Sequence, residues 1–314
     1  MPLLADYAIT PDVFDMTSYP TAGECEARLE TIREAMLIEG LVRDLRDGEW
    51  GALFATDARP WHPRGTKLIK ELATQGRLVR HEPELPALAR QDRHWCAEAL
   101  ATHSKQPFTG GIIVTKAVKD VNRREPTVAR IDRLAGAPWW ASRSPSVRLQ
   151  RTRDDYEAQL DAVLRCSNSL IFIDPHLDPA KRRYRDFGAL LARAGRRAPV
   201  PKIEVHRVCY EGSGPRRRFP LRDDATYFER VFRNELAFRL RAAGLLAEVF
   251  VWDDFHDRYL ISNLIGISLS NGFDTRANQT TTWNRLGRKD RDDIRREFHP
   301  ATGSHKLQLR FEVR

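Results

Sequence analysis

His256 and Arg258 stand two residues apart in a turn between two apolar runs, 249–252 and 259–261. Ser270, Asn271 and Gly272 follow the next apolar stretch. In an extended chain, residues two apart share a face. An imidazole placed there can attack phosphorus or give up a proton. A guanidinium beside it grips phosphoryl oxygens with charge-assisted hydrogen bonds. The pair therefore suits phosphodiester chemistry. Asp174 ends a third apolar run, 169–173, and leads into Pro175 and His176. It reads either as a carboxylate of the same site or as a turn or N-cap residue. His176 and His206 read as structural histidines. The chain carries no Walker A, G-x-G-x-x-G, H-E-x-x-H or zinc-spaced Cys/His pattern, so neither metal nor cofactor is expected.

The elements that must position these residues alternate clearly after residue 152. Tyr156, Leu160, Val163 and Leu164 share one helical face, as do Phe187, Leu190 and Leu191. Residues 227–243 carry Phe228, Val231, Phe232, Leu236 and Leu240 at helical spacing. Between these helices, 169–174, 203–209 and 248–252 read as strands, followed by two more over 259–269. Helices separating strands imply parallel pairing, with functional groups at strand carboxyl ends. The alternating end of the chain, 306–314, reads as a final strand. The expected class is α/β, with a mixed sheet flanked by helices over 152–314.

Residues 1–120 read as an α+β domain. Leu29, Ile32, Met36 and Leu37 mark one helix, and residues 66–75 a second, stopped by Gly76 before a short strand. That helix, glycine and strand suit either the end of a winged helix or an ordinary αβ turn. Residues 110–115 read as a buried strand, and 95–101 as a helix, which places His103 and Lys105 outside any strand–turn context. Residues 121–151, with Pro126, Pro138 and Pro145, read as a linker or surface excursion. Trp139 and Trp140 within it suit a docking point or a small cluster beneath a loop.

The net charge is +9, and it is uneven. Residues 151–314 hold 31 Lys and Arg against 23 Asp and Glu, whereas residues 1–150 hold 21 against 20. Arginines dominate the basic half, including Arg182 and Arg183, Arg295 and Arg296, and the run Arg216, Arg217 and Arg218. Arginine forks fit phosphate, so the run suits nucleic acid or an anionic lipid surface; it suits a solvated face equally. No apolar run approaches the ~20 residues of a membrane span. Cys25, Cys96, Cys166 and Cys209 lie far apart, and the first residues lack a secretory pattern. Free thiols in the cytoplasm are the simplest expectation.

Over 152–314 the chain resembles the phospholipase D superfamily, whose motif is H-x-K-x4-D followed six residues later by G-G or G-S. His256 stands at the histidine place, Arg258 at the lysine, Asn263 at the aspartate, and Ser270 with Asn271 at the glycine–serine. The His256, Asp257 and Arg258 triplet is similar to the H-D-R branch at the C-terminus of MIT-domain proteins and in related bacterial proteins. The resemblance implies metal-independent phosphodiester cleavage of nucleic acid. One histidine is the nucleophile and a second the acid, while Arg258, Asn263 and Ser270 bind the non-bridging oxygens. A neutral Asn263 stabilises imidazolium less than aspartate does, and Asp254 or Asp257 could stand in. With one motif in the chain, a symmetric homodimer would supply the second His256. The contrasting reading is an inactive module binding nucleic acid, anionic lipid or a protein partner. A third, a bacterial defence-system subunit, rests only on the company such domains keep.

Overall fold

Strands β1 (Ala5–Ile9), β2 (Gly40–Asp44), β3 (Leu78–Arg80), β4 (Ile112–Val114) and β5 (Val128–Arg130) form one sheet in the order β3-β2-β1-β4-β5. Every neighbouring pair is parallel. The computed structural model describes residues 1–56, 58–86, 90–118, 125–196, 199–212 and 214–314. It divides into two units, Met1–Ser144 and Pro145–Arg314.

In the first unit the crossovers contain α1 (Ala22–Ile38), α2 (Glu49–Thr56), α3 (Pro63–Thr74) and α4 (Asp92–Lys105). Parallel strands need such crossovers, so this unit is α/β in its own right rather than α+β. β3 pairs parallel with β2, which excludes the antiparallel hairpin of a wing. His103 and Lys105 occupy the last turn of α4. The stretch expected as a linker is shared between the units where it is described; residues 121–124 lie outside the described residues. β5 joins the first sheet, and Ile131, Leu134 and Trp140 are buried in that unit's core. Trp139, in the short helix α5 (Pro138–Ala141), packs against the same core, where a Cβ on Gly111 would lie 2.3 Å from its ring. Residues 146–150 belong to the second sheet.

The carboxyl ends of β1 and β4 carry Asp12 and Thr115, and Asp92 opens α4 beside them. Burial and the neighbouring Asp92 push the Asp12 carboxyl up to about 6, against the pull of Arg59. The folded state thus binds a proton more readily than the unfolded chain, whose carboxyl sits at 3.8. Stability must fall as pH rises from about 4 to about 6. Asp12→Asn should remove that slope. Denaturant unfolding across this range, wild type against variant, should show the difference between the two growing with pH. A constant difference would mean that Asp12 is solvated.

The second unit holds β6 (Ser146–Gln150), β7 (Ser169–Ile173), β8 (Lys202–Val208), β9 (Ala247–Trp252), β10 (Tyr259–Ser262), β11 (Gly266–Leu269), β12 (Thr280–Arg285) and β13 (Leu307–Val313). Their order is β13-β9-β8-β7-β10-β11-β12-β6. β7, β8 and β9 are parallel and the other pairs antiparallel, giving the expected mixed sheet. α6 (Arg153–Cys166), α7 (Phe187–Arg193) and α8 (Tyr227–Ala242) bury the apolar faces read from their spacing. On β7, Phe172 meets Phe187 of α7, while Ile171 and Ile173 join a cluster with Phe298, just beyond α9 (Arg288–Glu297). Both faces of the strand are covered, which explains its unbroken apolar run.

Candidate functional site

Register decides which residues meet. Tyr259 pairs with Ile173 and Ser262 with Leu170, so the start of β10 lies beside the end of β7. Arg258 and Asp174 are consequently neighbours, with Arg258 Nε 4.0 Å from Asp174 Oδ1. Leu269 donates its N–H to the Arg258 carbonyl at 2.9 Å, which brings Ser270 to the same end. The same antiparallel register carries Asn263 to the opposite end. Four strand residues intervene, a separation of roughly 16 Å from Arg258. There the Asn263 Oδ1 accepts the N–H of Asn168 at 2.7 Å. Asn263 is therefore a loop-fixing residue at the far edge, not a member of this cluster.

Asp174 is fully buried beneath the cluster. Its Oδ1 accepts the N–H of His176 at 3.0 Å, its Oδ2 that of Phe273 at 3.1 Å, and Tyr184 donates its hydroxyl at 3.1 Å. Burial raises its affinity for a proton, and these donors together with Arg258 oppose that. Asp174 thus acts as the turn residue after β7, and it also anchors the loop after β11. Gly272 makes the second contact possible. Its φ is +72°, and a Cβ there would lie 2.1 Å from Asp174 Oδ2.

Above Asp174 opens a cavity of about 240 Å³. Arg151, Arg183, Arg258 and Arg276 supply four guanidiniums to it, and among the described residues Asp274 is its one lining carboxylate. Asp274 is already engaged by Arg151, whose Nη1 also donates to Gln279 Oε1 at 2.6 Å. The surplus is cationic and partly desolvated, which is the condition for seating a phosphate. His176, Tyr184, Ser270 and Asn271 complete its described lining. Burial first, then Arg258, Arg183, Arg207 and Lys181, hold the His176 imidazole down at about 4. It is neutral near neutral pH and can accept a hydrogen bond. The Ser270 hydroxyl donates to the Thr282 carbonyl at 2.8 Å, so its proton is committed, leaving its oxygen to accept.

His256 is exposed and does not line this cavity. Residues 253–258 have no strand geometry, so the alternation that would put His256 and Arg258 on one face does not hold there. The two are linked through the backbone, Arg258 Nη1 donating to the His256 carbonyl at 3.1 Å. Arg216, Arg217 and Arg218 also stay outside the cavity. Arg217 stacks 4.1 Å over Tyr210 and pairs with Asp254 at 3.2 Å, while Arg216 and Arg218 are exposed. His206 is structural as expected: fully buried, stacked 4.7 Å from Phe250, and accepting from Trp252 Nε1 at 3.0 Å. Sequence reading missed Arg151, Asp274 and Arg276 at the site. The Arg151–Asp274 contact spans 123 positions, which no local pattern signals. Among the described residues, no group of three or more His, Cys, Asp or Glu side chains is disposed to hold a metal ion. No described helix is long and apolar enough to cross a membrane.

No protein-family model and no curated protein matches the chain. Solved structures to which it is similar include a phospholipase D family member, Nuc from Salmonella typhimurium. That likeness has a TM-score of 0.34 and 10% identity, over 52% of this chain and 97% of the other. A second is TrmBL2, an archaeal chromatin protein described as showing a novel mode of DNA binding. Its TM-score is 0.29 and its identity 11%, over 80% of this chain and 72% of the other.

Proposed function

We propose that residues 145–314 act as a phospholipase D-like phosphodiesterase on nucleic acid, with the four-arginine cavity as the seat of the scissile phosphate. One observation carries this reading: Arg151, Arg183, Arg258 and Arg276 converge where, among the described residues, one carboxylate lines the wall. The chemistry needs no metal. The guanidiniums neutralise the non-bridging oxygens as charge builds on them. A His256 imidazole nitrogen forms a bond to phosphorus while the bond from phosphorus to the leaving oxygen breaks, and that oxygen takes a proton from a second histidine. Water then attacks phosphorus, gives its proton to that second histidine, and frees His256. Because His256 is exposed, a two-fold related copy of the chain can bring its own His256 to the phosphate.

A second reading is favoured by the same exposure. His256 stands outside the cavity, which suits a module that binds phosphodiesters without cutting them. One experiment separates the two. Arg258→Ala should weaken oligonucleotide binding by about 1.5–3 kcal/mol, the worth of a charge-assisted hydrogen bond, under either reading. Cleavage in EDTA that falls in parallel supports the phosphodiesterase. Binding without cleavage of DNA or RNA, with or without divalent ions, supports the module. Arg258→Ala with unchanged binding would remove the cavity from both.

A further inference from the structure

A second cavity, of about 590 Å³, opens beside the first, and Arg151, Arg183 and Arg276 line both. Its remaining wall adds Arg153, Arg182 and Arg185. Six guanidiniums thus meet two lining carboxylates, Asp154 and Asp186. Some are partly neutralised: Arg153 by Glu157 at 2.6 Å, and Arg185 by Asp186 at 4.0 Å. Arg182 and Arg183 form no ion pair among the described residues, and the buried Nε of Arg183 has no hydrogen-bond partner.

The composition of the wall selects among anions. Besides charged residues the described part of the wall holds Thr152, Thr275 and Ala277, so no large aliphatic side chain is there to pack against an acyl chain. Among the described residues no aromatic ring lines it either, so bases would find no stacking platform there and the backbone would be what is held. We propose that the two cavities form one track for consecutive phosphates of a polynucleotide strand. The substrate is then an oligonucleotide gripped by its backbone, without sequence preference, rather than a mononucleotide or a lipid headgroup. This rests on the first cavity being the scissile-phosphate seat.

The test uses the full chain with a fluorescent dinucleotide and a dodecanucleotide, titrated over a range of salt. The longer strand should bind at least about tenfold tighter, because each further phosphate that is neutralised releases more counterions. Arg182→Ala/Arg185→Ala should reduce the ratio of the two affinities about tenfold and make the salt dependence shallower by about 1.4, the share of two phosphates left without a guanidinium. Both side chains are exposed, so the thermal unfolding of the variant should match that of the wild type. Equal affinity at both lengths, or a ratio untouched by the double substitution, overturns the track. So does binding to phosphatidylserine vesicles that depends on Arg182 and Arg185 more than dodecanucleotide binding does. If dinucleotide binding survives Arg258→Ala unchanged, the seat itself is wrong. If it is lost while length has no effect, the seat stands and only the track fails.

Discussion

Gly272→Ala should cost about 2–4 kcal/mol of folding stability, combining left-handed backbone strain with overpacking of a filled site. Gly244→Ala is the matched control. Both glycines have positive φ, +72° and +68°, but a Cβ on Gly244 meets nothing within 4 Å. The control should therefore cost only about 1–2 kcal/mol, the left-handed strain alone. Urea unfolding of both variants separates the two contributions. The excess at Gly272 measures how closely the loop after β11 crosses Asp174, because the 2.1 Å approach is to the carboxylate itself. To admit a methyl group the loop must lift, and Phe273 then withdraws its N–H from Asp174 Oδ2. Arg258, whose Cδ would lie 3.2 Å from the new atom, must shift with it. Gly272→Ala should therefore weaken oligonucleotide binding as well as folding. Equal costs at the two glycines would show that Asp174 does not anchor this loop.

Local pattern carried the second unit a long way. The apolar faces of α6 and α8 and the unbroken apolar run of β7 are short-range properties, so spacing alone placed them. Register is different, because it depends on which strand lies alongside. The motif spacing from Arg258 to Asn263 spans β10 from end to end, so the two residues lie at opposite ends of that strand. By contrast, Ser270 returns to Arg258 because β11 runs back along β10. The parallel sheet of the first unit was obscured for another reason. The sequence shows β3 after Gly76 and β4 within 110–115, but β1 and β2 are buried along nearly their whole length and so carry no alternation, and β5 is only three residues long. The tryptophans that seal its core stand in a stretch whose prolines read as a connection.

His256→Ala should lower cleavage by at least about 10²–10⁴-fold, the usual worth of a positioned proton-transfer group, because it removes the nucleophile as well, while oligonucleotide affinity changes little. The arginines carry the charge, and His256 does not line the cavity that holds them. His176→Ala should behave differently. Its imidazole lies among the arginines and is held at about 4, so near neutral pH it offers the phosphate no charge. A bound phosphate favours the protonated ring, which raises its proton affinity in the complex. Wild-type oligonucleotide affinity should then increase as pH falls toward about 4. The same protonation works against folding without ligand. A histidine held below its ordinary 6.5 contributes stability that is present above that value and lost as pH falls toward about 4. His176→Ala should flatten both dependences together, whereas His256→Ala should leave both in place. Binding and unfolding measured over this range, with cleavage followed in EDTA, assign the two histidines. If His176→Ala abolishes cleavage and His256→Ala does not, the nucleophile lies inside the cavity and no second copy of the chain is needed.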